Sequence, residues 1–386
     1  MIPYTAHLPD LFRPMHFDSV EMDIPTIDLL PFALIPERGK AMNEKQIECG
    51  KRLDECFKEH GFCYLANIFG ATKNENDDED DDVVSRVFEK AKSLFALSEE
   101  EKSTLMKWDA RTNTGFSSFG TECLNDDRKP DEKETFNVRR KGLYKDLEQM
   151  GNGEGYFKGI ERETEEVFNA FFMELMKATE RLCVAVACAL KLEDSYFFVD
   201  KFQKFDLSTL KFLHSPPSNA KNLRNDSTTS KGEALRVSEH VDFGFATFLF
   251  HDSQSLGSGL QVKKSENFAH GRDDVENGWI DIKAKKSDVH KNICILNTGA
   301  LLSRWTNNLY AATAHRVVIP MDDERAKNID RYSCAFFMDP DIDVIIETPE
   351  EVKKQFKDAN IDFVDYEPLT SFEFVQMKIN EMVVKD

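Results

Sequence analysis

Two stretches of the chain put a histidine two residues ahead of an aspartate: His240-Val241-Asp242 in "RVSEHVDFGFATFLF" and His16-Phe17-Asp18 in "RPMHFDSV". With nine His and 35 Asp among 386 residues, about 0.8 such tripeptides arise by chance, so context must separate them. His16 and Asp18 lie outside any strand-like series and read as a surface segment. His240 and Asp242 precede an apolar, aromatic run and are expected to open its strand. There residues two apart share a face, so an imidazole and a carboxylate can aim at one point. A third donor is available in His315 of "ATAHRVVIP", at the head of another apolar run. Two histidines and a carboxylate on one face of an octahedron hold iron(II) and leave three positions open. The same donors also describe hydrolytic zinc sites.

Arg331 and Ser333 in "RYSCAFF" decide between the metals. They stand two apart on a strand-like run, and a guanidinium beside a hydroxyl on one face is a carboxylate clamp. A hydrolytic water needs no such clamp. A 2-oxo acid that chelates iron at its keto acid end does need its far carboxylate held, because an unpaired buried carboxylate costs several kcal/mol.

The elements that must position these groups are legible as a change of period. "ERETEEVFNAFFMELMKATERLCVAVACALKL" repeats Phe168, Phe171, Phe172, Leu175, Leu182, Val186 and Leu190 at helical spacing, a core stripe. From about Leu207 short β-branched or aromatic runs follow: "LSTLKFLHS", "FGFATFLF", "GLQV", "NICILNTG", "AHRVVIP", "RYSCAFFM" and "IDVIIE". Such a series implies an antiparallel sandwich or jelly roll. Upstream, "MDIPTIDLLPF" reads as a short strand, and "NEKQIECGKRLDECFKEHGFCYLAN" as a helix running into a strand. Asn43 is its N-cap with Gln46 three positions on, and Gly61 supplies the left-handed end. The acidic run "TKNENDDEDDD" reads as a solvated loop before a helix starting near Val83.

Composition limits the partners. A formal net charge of −20 argues against a nucleic-acid partner, which needs clustered Lys and Arg to neutralise phosphates. The longest apolar runs fall short of the roughly 18 to 20 residues that span a bilayer, so no membrane partner is expected either. The start "MIPYTAHLPDLF" has neither the basic nor the apolar region of a secretory signal. Eight scattered cysteines without a C-x-x-C pair read as reduced core thiols in a cytoplasmic protein.

The order of His-x-Asp, then "WTNNLYAATAHRV", then "RYSCAFFMDPD" resembles the 2-oxoglutarate- and Fe(II)-dependent dioxygenases of the isopenicillin N synthase-like family. "IPTIDLLPF" with "EHGFCYLAN", "FALSEEEK", "TGFSSFGTE" with "KPDEKETFN", and "YEPLTSFEFVQMKINEM" are similar to successive parts of that family in the same order, so the likeness covers most of the chain. The resemblance implies a mainly β fold with flanking helices around a double-stranded β-helix, or jelly roll. It implies iron ligands His240, Asp242 and His315. Arg331 and Ser333 would bind the C5 carboxylate of 2-oxoglutarate, with Ser215 of "FLHSPP" where a tyrosine hydroxyl often assists. Ala300 and Ala311 replace a common Asp and Ser near the third ligand. The cofactors implied are Fe(II), 2-oxoglutarate and O₂, with ascorbate as auxiliary reductant; the substrate is a small molecule, oxidised with release of succinate and CO₂. An iron oxidase of the same family that uses no 2-oxoglutarate, or a catalytically silent binding or sensor protein on the same barrel, are the alternatives.

The expected organisation is an N-terminal α/β region over 1–130 packing on the barrel, a linker and long helix over 131–206, a catalytic core over 207–347 and a C-terminal helical segment over 348–386. Among the remaining candidates, His214 is expected to be a hydrogen-bonded structural residue and Trp305 a packing residue. Phe243 and Phe245 fit the core or the pocket wall, and His251 is assigned to the turn after its apolar run.

Overall fold

The computed structural model describes residues 24–70, 83–105, 108–109, 113–122, 130–140, 160–217, 229, 234–252, 259–263, 278–282, 293–319 and 327–383. His16, Asp18, the acidic run and most of the two long polar connections lie outside them.

From Thr209 to Met338 the strands are divided between two sheets, alternating except that Leu260–Lys263 and Trp279–Ile282 follow one another in the same sheet. The larger one contains β5 (Thr209–Ser215), β7 (Ala246–His251), β10 (Cys294–Thr298) and β12 (Arg331–Met338). The smaller contains β6 (Leu235–His240), β8 (Leu260–Lys263), β9 (Trp279–Ile282) and β11 (His315–Val318), in the order β6-β11-β8-β9. Every pairing among these eight strands is antiparallel. This is a double-stranded β-helix. The N-terminal strands widen its larger sheet: β1 (Thr26–Asp28) and β2 (Phe62–Ala66) extend it beyond β10, while β3 (Gly115–Ser117) and β4 (Glu134–Val138) extend it beyond β5. β1 and β2 pair in parallel, the exception to an otherwise antiparallel sheet.

Alternation along the strands sorts side chains into two cores. The outer face of the larger sheet carries Phe212, Phe248, Phe250, Cys334, Phe336 and Met338, all buried. Against it lies the long helix, which we label α4 (Arg162–Ala189) in chain order after α1 (Glu44–Glu59), α2 (Val83–Phe95) and α3 (Glu99–Leu105). Phe168 stacks on Phe212 at 4.4 Å, and Phe172 meets Phe336 edge-on at 5.1 Å. Aromatic pairs of this kind add about 0.5–1.5 kcal/mol each beyond their burial. The inner faces of the two sheets enclose a smaller cluster of Phe62, Tyr64, Val237, Leu260, Val262, Ile282, Ile295 and Val317.

The local signals read from the sequence recur here. Asn43 and Gln46 exchange reciprocal hydrogen bonds of 3.0 Å at the start of α1. Gly61 adopts φ 64° at its end, where a Cβ would meet Ala311 O and Thr313 Oγ1, each at 2.5 Å. Its carbonyl accepts from Thr298 N at 3.0 Å, tying β2 to the end of β10. Trp305 is fully buried among Phe197, Phe198 and Phe245.

Two expectations change. "IDVIIE" is not a barrel strand. Its extended part is β13 (Ile345–Ile346), which pairs only with β14 (Leu369–Thr370) ahead of the C-terminal helix. The carboxylate of Asp341 accepts from the backbone N–H groups of Gln203, Lys204 and Phe205, which turns the chain away from the sheet after β12. The second change concerns the His-x-Asp stretch: β6 ends at His240, Asp242 lies in the connection that follows, and β7 begins only at Ala246.

Candidate active site

The three proposed ligands meet at one end of the barrel although they reach it differently from the expectation. His240 closes β6 and His315 opens β11, and the two are direct cross-strand partners. Their rings lie 4.2 Å apart at 55°. Asp242 arrives from the loop, with Oδ1 3.7 Å from Nε2 of each histidine. One donor atom from each of the three falls within 4.8 Å of the others.

The loop is held from two sides. The N-terminus of α5 (Ala300–Trp305) sends Ala300 N to Asp242 O at 2.8 Å and Leu301 N to Gly244 O at 3.1 Å. From β12, Met338 O accepts from Phe245 N at 2.8 Å. The approach is so close that a Cβ on Gly299 would collide with the Gly244 carbonyl.

Hydrogen bonds fix which atoms face the common point. His240 Nδ1 lies 2.8 Å from Ser238 O and His315 Nδ1 3.3 Å from Thr313 O. A carbonyl only accepts, so Nδ1 carries the proton in each ring and Nε2 keeps its lone pair. Asp242 Oδ2 accepts from Thr247 Oγ1 at 2.6 Å and Asn297 Nδ2 at 2.7 Å, leaving Oδ1 toward the histidines. Burial, then repulsion from His315, holds His240 down to about 4, so it is neutral near pH 7. Burial opposes charge on Asp242, yet the two imidazoles and the donors Thr247 and Asn297 hold it below the usual carboxylate range. Neutral imidazoles and an ionised carboxylate are the forms that bind a metal, and this donor set fits iron(II).

Arg331 and Ser333 share the inner face of β12, opposite to Cys334 and Phe336. Both are buried, with Arg331 Nη1 donating to Ser333 Oγ at 3.2 Å. Ser215, the last residue of β5, is the cross-strand partner of Arg331 and is buried beside it. Burial, then the neighbouring Arg236, pushes the Arg331 guanidinium down to about 9. It remains charged at neutral pH, beside a second guanidinium, which is an environment that favours an anion.

His214 is the hydrogen-bonded residue expected, bridging Glu134 Oε1 at 2.6 Å and Asp330 Oδ1 at 2.7 Å. Phe245 belongs to the core and Phe243 is half-buried. His251 is not a turn residue: it completes β7 opposite Ser333, with its ring nitrogens buried. Thr247 and Asn297 were not singled out from sequence. The available signal was parity, since Thr247 and Asn297 are cross-strand partners at the Asp242 end of β7 and β10. Also unforeseen is a buried set of charges on the barrel wall. Lys211 lies 2.7 Å from Glu122, and Lys133 lies 2.5 Å from Asp131 and 3.4 Å from Glu122.

A jelly roll with two histidines and a carboxylate at one end and a buried Arg–Ser pair inside defines a non-haem iron oxygenase. Comparison with known proteins makes the assignment specific. Residues 213–340 match the model of the 2OG-Fe(II) oxygenase superfamily. Residues 24–152 match the model described as non-haem dioxygenase in morphine synthesis N-terminal. The chain is 26% identical over 374 residues to the 2-oxoglutarate-dependent dioxygenase htyE of Aspergillus rugulosus, covering 93% of this chain and 98% of the relative. It is 27% identical over 330 residues to the proline hydroxylase buaE of Petromyces alliaceus, covering 84% and 93%. Full-length Neurospora crassa T7H, solved in complex with alpha-KG and 5-formyluracil, superposes with a TM-score of 0.65 at 25% identity, covering 95% of this chain and 100% of that one. The chain belongs to the 2OG-Fe(II) oxygenase superfamily and is an Fe(II)- and 2-oxoglutarate-dependent oxygenase. Among the described residues no helix is long and apolar enough to cross a membrane.

Proposed function

We propose that this oxygenase hydroxylates a small molecule, with iron(II) on His240, Asp242 and His315 and the C5 carboxylate of 2-oxoglutarate on Arg331, Ser333 and Ser215. The observation that carries the site assignment is the meeting of three oriented donor atoms within one barrel that also buries an Arg–Ser pair. The hydroxylation reading draws support from a relative named as a proline hydroxylase, and the small-molecule reading from a structural neighbour solved with 5-formyluracil. A cytoplasmic setting is part of the proposal; the described cysteines are free thiols.

When bound, iron(II) with 2-oxoglutarate and O₂ supplies the oxidation: R–H, 2-oxoglutarate and O₂ give R–OH, succinate and CO₂. The chain's own residues prepare for it. Ser238 O and Thr313 O keep the Nε2 lone pairs of His240 and His315 free, and Thr247 with Asn297 turns Asp242 Oδ1 toward them. The Arg331 guanidinium and the Ser333 and Ser215 hydroxyls offer donors to the far end of the cosubstrate. Val262 and Ile295, with the half-buried Leu249, belong to the apolar cluster between the two sheets, and an apolar interior of this kind helps to exclude water.

A metabolite screen read by succinate release, followed by mass analysis of the product, tests the proposal. A gain of one oxygen atom in the consumed compound is expected; loss of two hydrogens with no oxygen gained would replace hydroxylation with desaturation or ring closure.

A further inference from the structure

We propose that His251 is a further positioning residue for the cosubstrate, donating a ring N–H to the C5 carboxylate of 2-oxoglutarate from the β7 side of the clamp. This rests on the assignment of Arg331 and Ser333 given above. On β7, Thr247, Leu249 and His251 are the cross-strand partners of Phe337, Ala335 and Ser333, so His251 shares the inner face of the clamp. Both of its ring nitrogens are buried and without a hydrogen-bond partner. Buried polar side-chain atoms in native proteins are nearly always paired, so a ring with two orphaned nitrogens on a pocket wall signals a ligand.

The neighbouring groups do not fill that role. Asp252, the next residue, is engaged elsewhere: its N–H donates to Tyr332 O at 3.2 Å and its Oδ1 accepts from Lys92 Nζ at 2.8 Å. Across the strand pair stand the Ser333 hydroxyl and the Arg331 guanidinium, themselves donors to an anion. Burial and the positive charge of Arg331 hold His251 well below the ordinary histidine range, so the ring is neutral. A neutral imidazole carries one N–H and needs no proton uptake to donate it. On the β5 flank the clamp has the short hydroxyl of Ser215. His251 thus supplies a ring donor from the β7 flank of the carboxylate.

The test compares two 2-oxo acids on protein loaded with Mn(II) under anaerobic conditions, so that affinity is read without turnover. 2-Oxoglutarate carries the distal carboxylate, and 2-oxobutyrate shares the chelating end but lacks it. His251→Phe is expected to weaken 2-oxoglutarate binding by about tenfold to a hundredfold, the range for one hydrogen bond to a charged group, with 2-oxobutyrate unchanged. His251→Gln retains an N–H and is expected to recover most of the loss. His251→Leu serves as the smaller truncation, and thermal unfolding confirms that each variant is folded. Unchanged 2-oxoglutarate affinity in both truncations, or equal weakening of both acids, overturns the proposal. Arg331→Met separates this from failure of the clamp itself. If Arg331→Met abolishes discrimination between the two acids and the His251 truncations do not alter it, only the His251 assignment falls; if Arg331→Met preserves discrimination, the clamp falls with it.

Discussion

At the residue scale the site is a set of donors whose orientation depends on partners one step removed. Asn297 and Thr247 are not proposed ligands themselves, yet together they occupy one oxygen of Asp242 and so choose the other. Asn297→Ala is expected to weaken Fe(II) binding by about 10- to 100-fold, the usual effect of losing such a partner, without unfolding the protein. Metal titration beside thermal unfolding checks both halves. His315→Ala is expected to abolish iron binding while the fold persists; unchanged iron affinity would reassign the triad. The proposed ligands were chosen from residue type and order, and Arg331 with Ser333 from the strand parity that puts them on one face. Asn297, Thr247 and His251 were not legible. Their roles depend on which strands become neighbours, and His251 ends an apolar run just as a turn residue would.

At the element scale the informative result is how Asp242 reaches its partners. Strand alternation predicted that His240 and Asp242 share a face; the chain instead leaves β6 after His240 and relies on the start of α5 to hold the loop. Gly299 is the tight point, since a Cβ there would run into the Gly244 carbonyl. Gly299→Ala is therefore expected to push the loop away from α5, destabilising the protein by about 1–3 kcal/mol, the range for overpacking. Iron affinity should fall with it. Wild-type metal affinity in a Gly299→Ala protein would show that the loop can yield without moving Asp242. The α1 cap, the Gly61 turn and the Phe face of α4 were all readable, because each is written in local spacing. That the strand in "IDVIIE" stands outside the barrel was not, because its partner is the distant β14.

At the scale of the whole molecule, the charges predict how stability responds to acid. His60, at the end of α1, is pushed down to about 4 by burial. The unfolded chain takes up a proton near the ordinary value of about 6.5, so stability is present above that value and is lost as pH falls toward 4. Glu122 lies in the second window. Burial works against its charge, but Lys211 and Lys133 outweigh it and hold the carboxylate down to about 2. Its contribution is present above the ordinary carboxylate value of about 4.3 and disappears as pH falls toward 2. Chemical denaturation across pH should show both declines, with His60→Gln flattening the upper one and Glu122→Gln the lower. Burial sets the His60 shift and neighbouring lysines the Glu122 shift, and neither could be located from composition alone; the double-stranded β-helix itself was legible from the run of short strands and the family's motif order. On this reading the barrel couples Fe(II) to 2-oxoglutarate through His240, Asp242, His315 and Arg331. The most direct measurement is release of labelled CO₂ from 2-oxoglutarate carrying the label at C1, with Fe(II), ascorbate and O₂ and no added substrate. Slow, iron-dependent release is expected from the wild-type protein, absent in Asp242→Ala and strongly reduced in Arg331→Ala. A folded, iron-loaded wild-type protein that neither binds nor decarboxylates 2-oxoglutarate would contradict it.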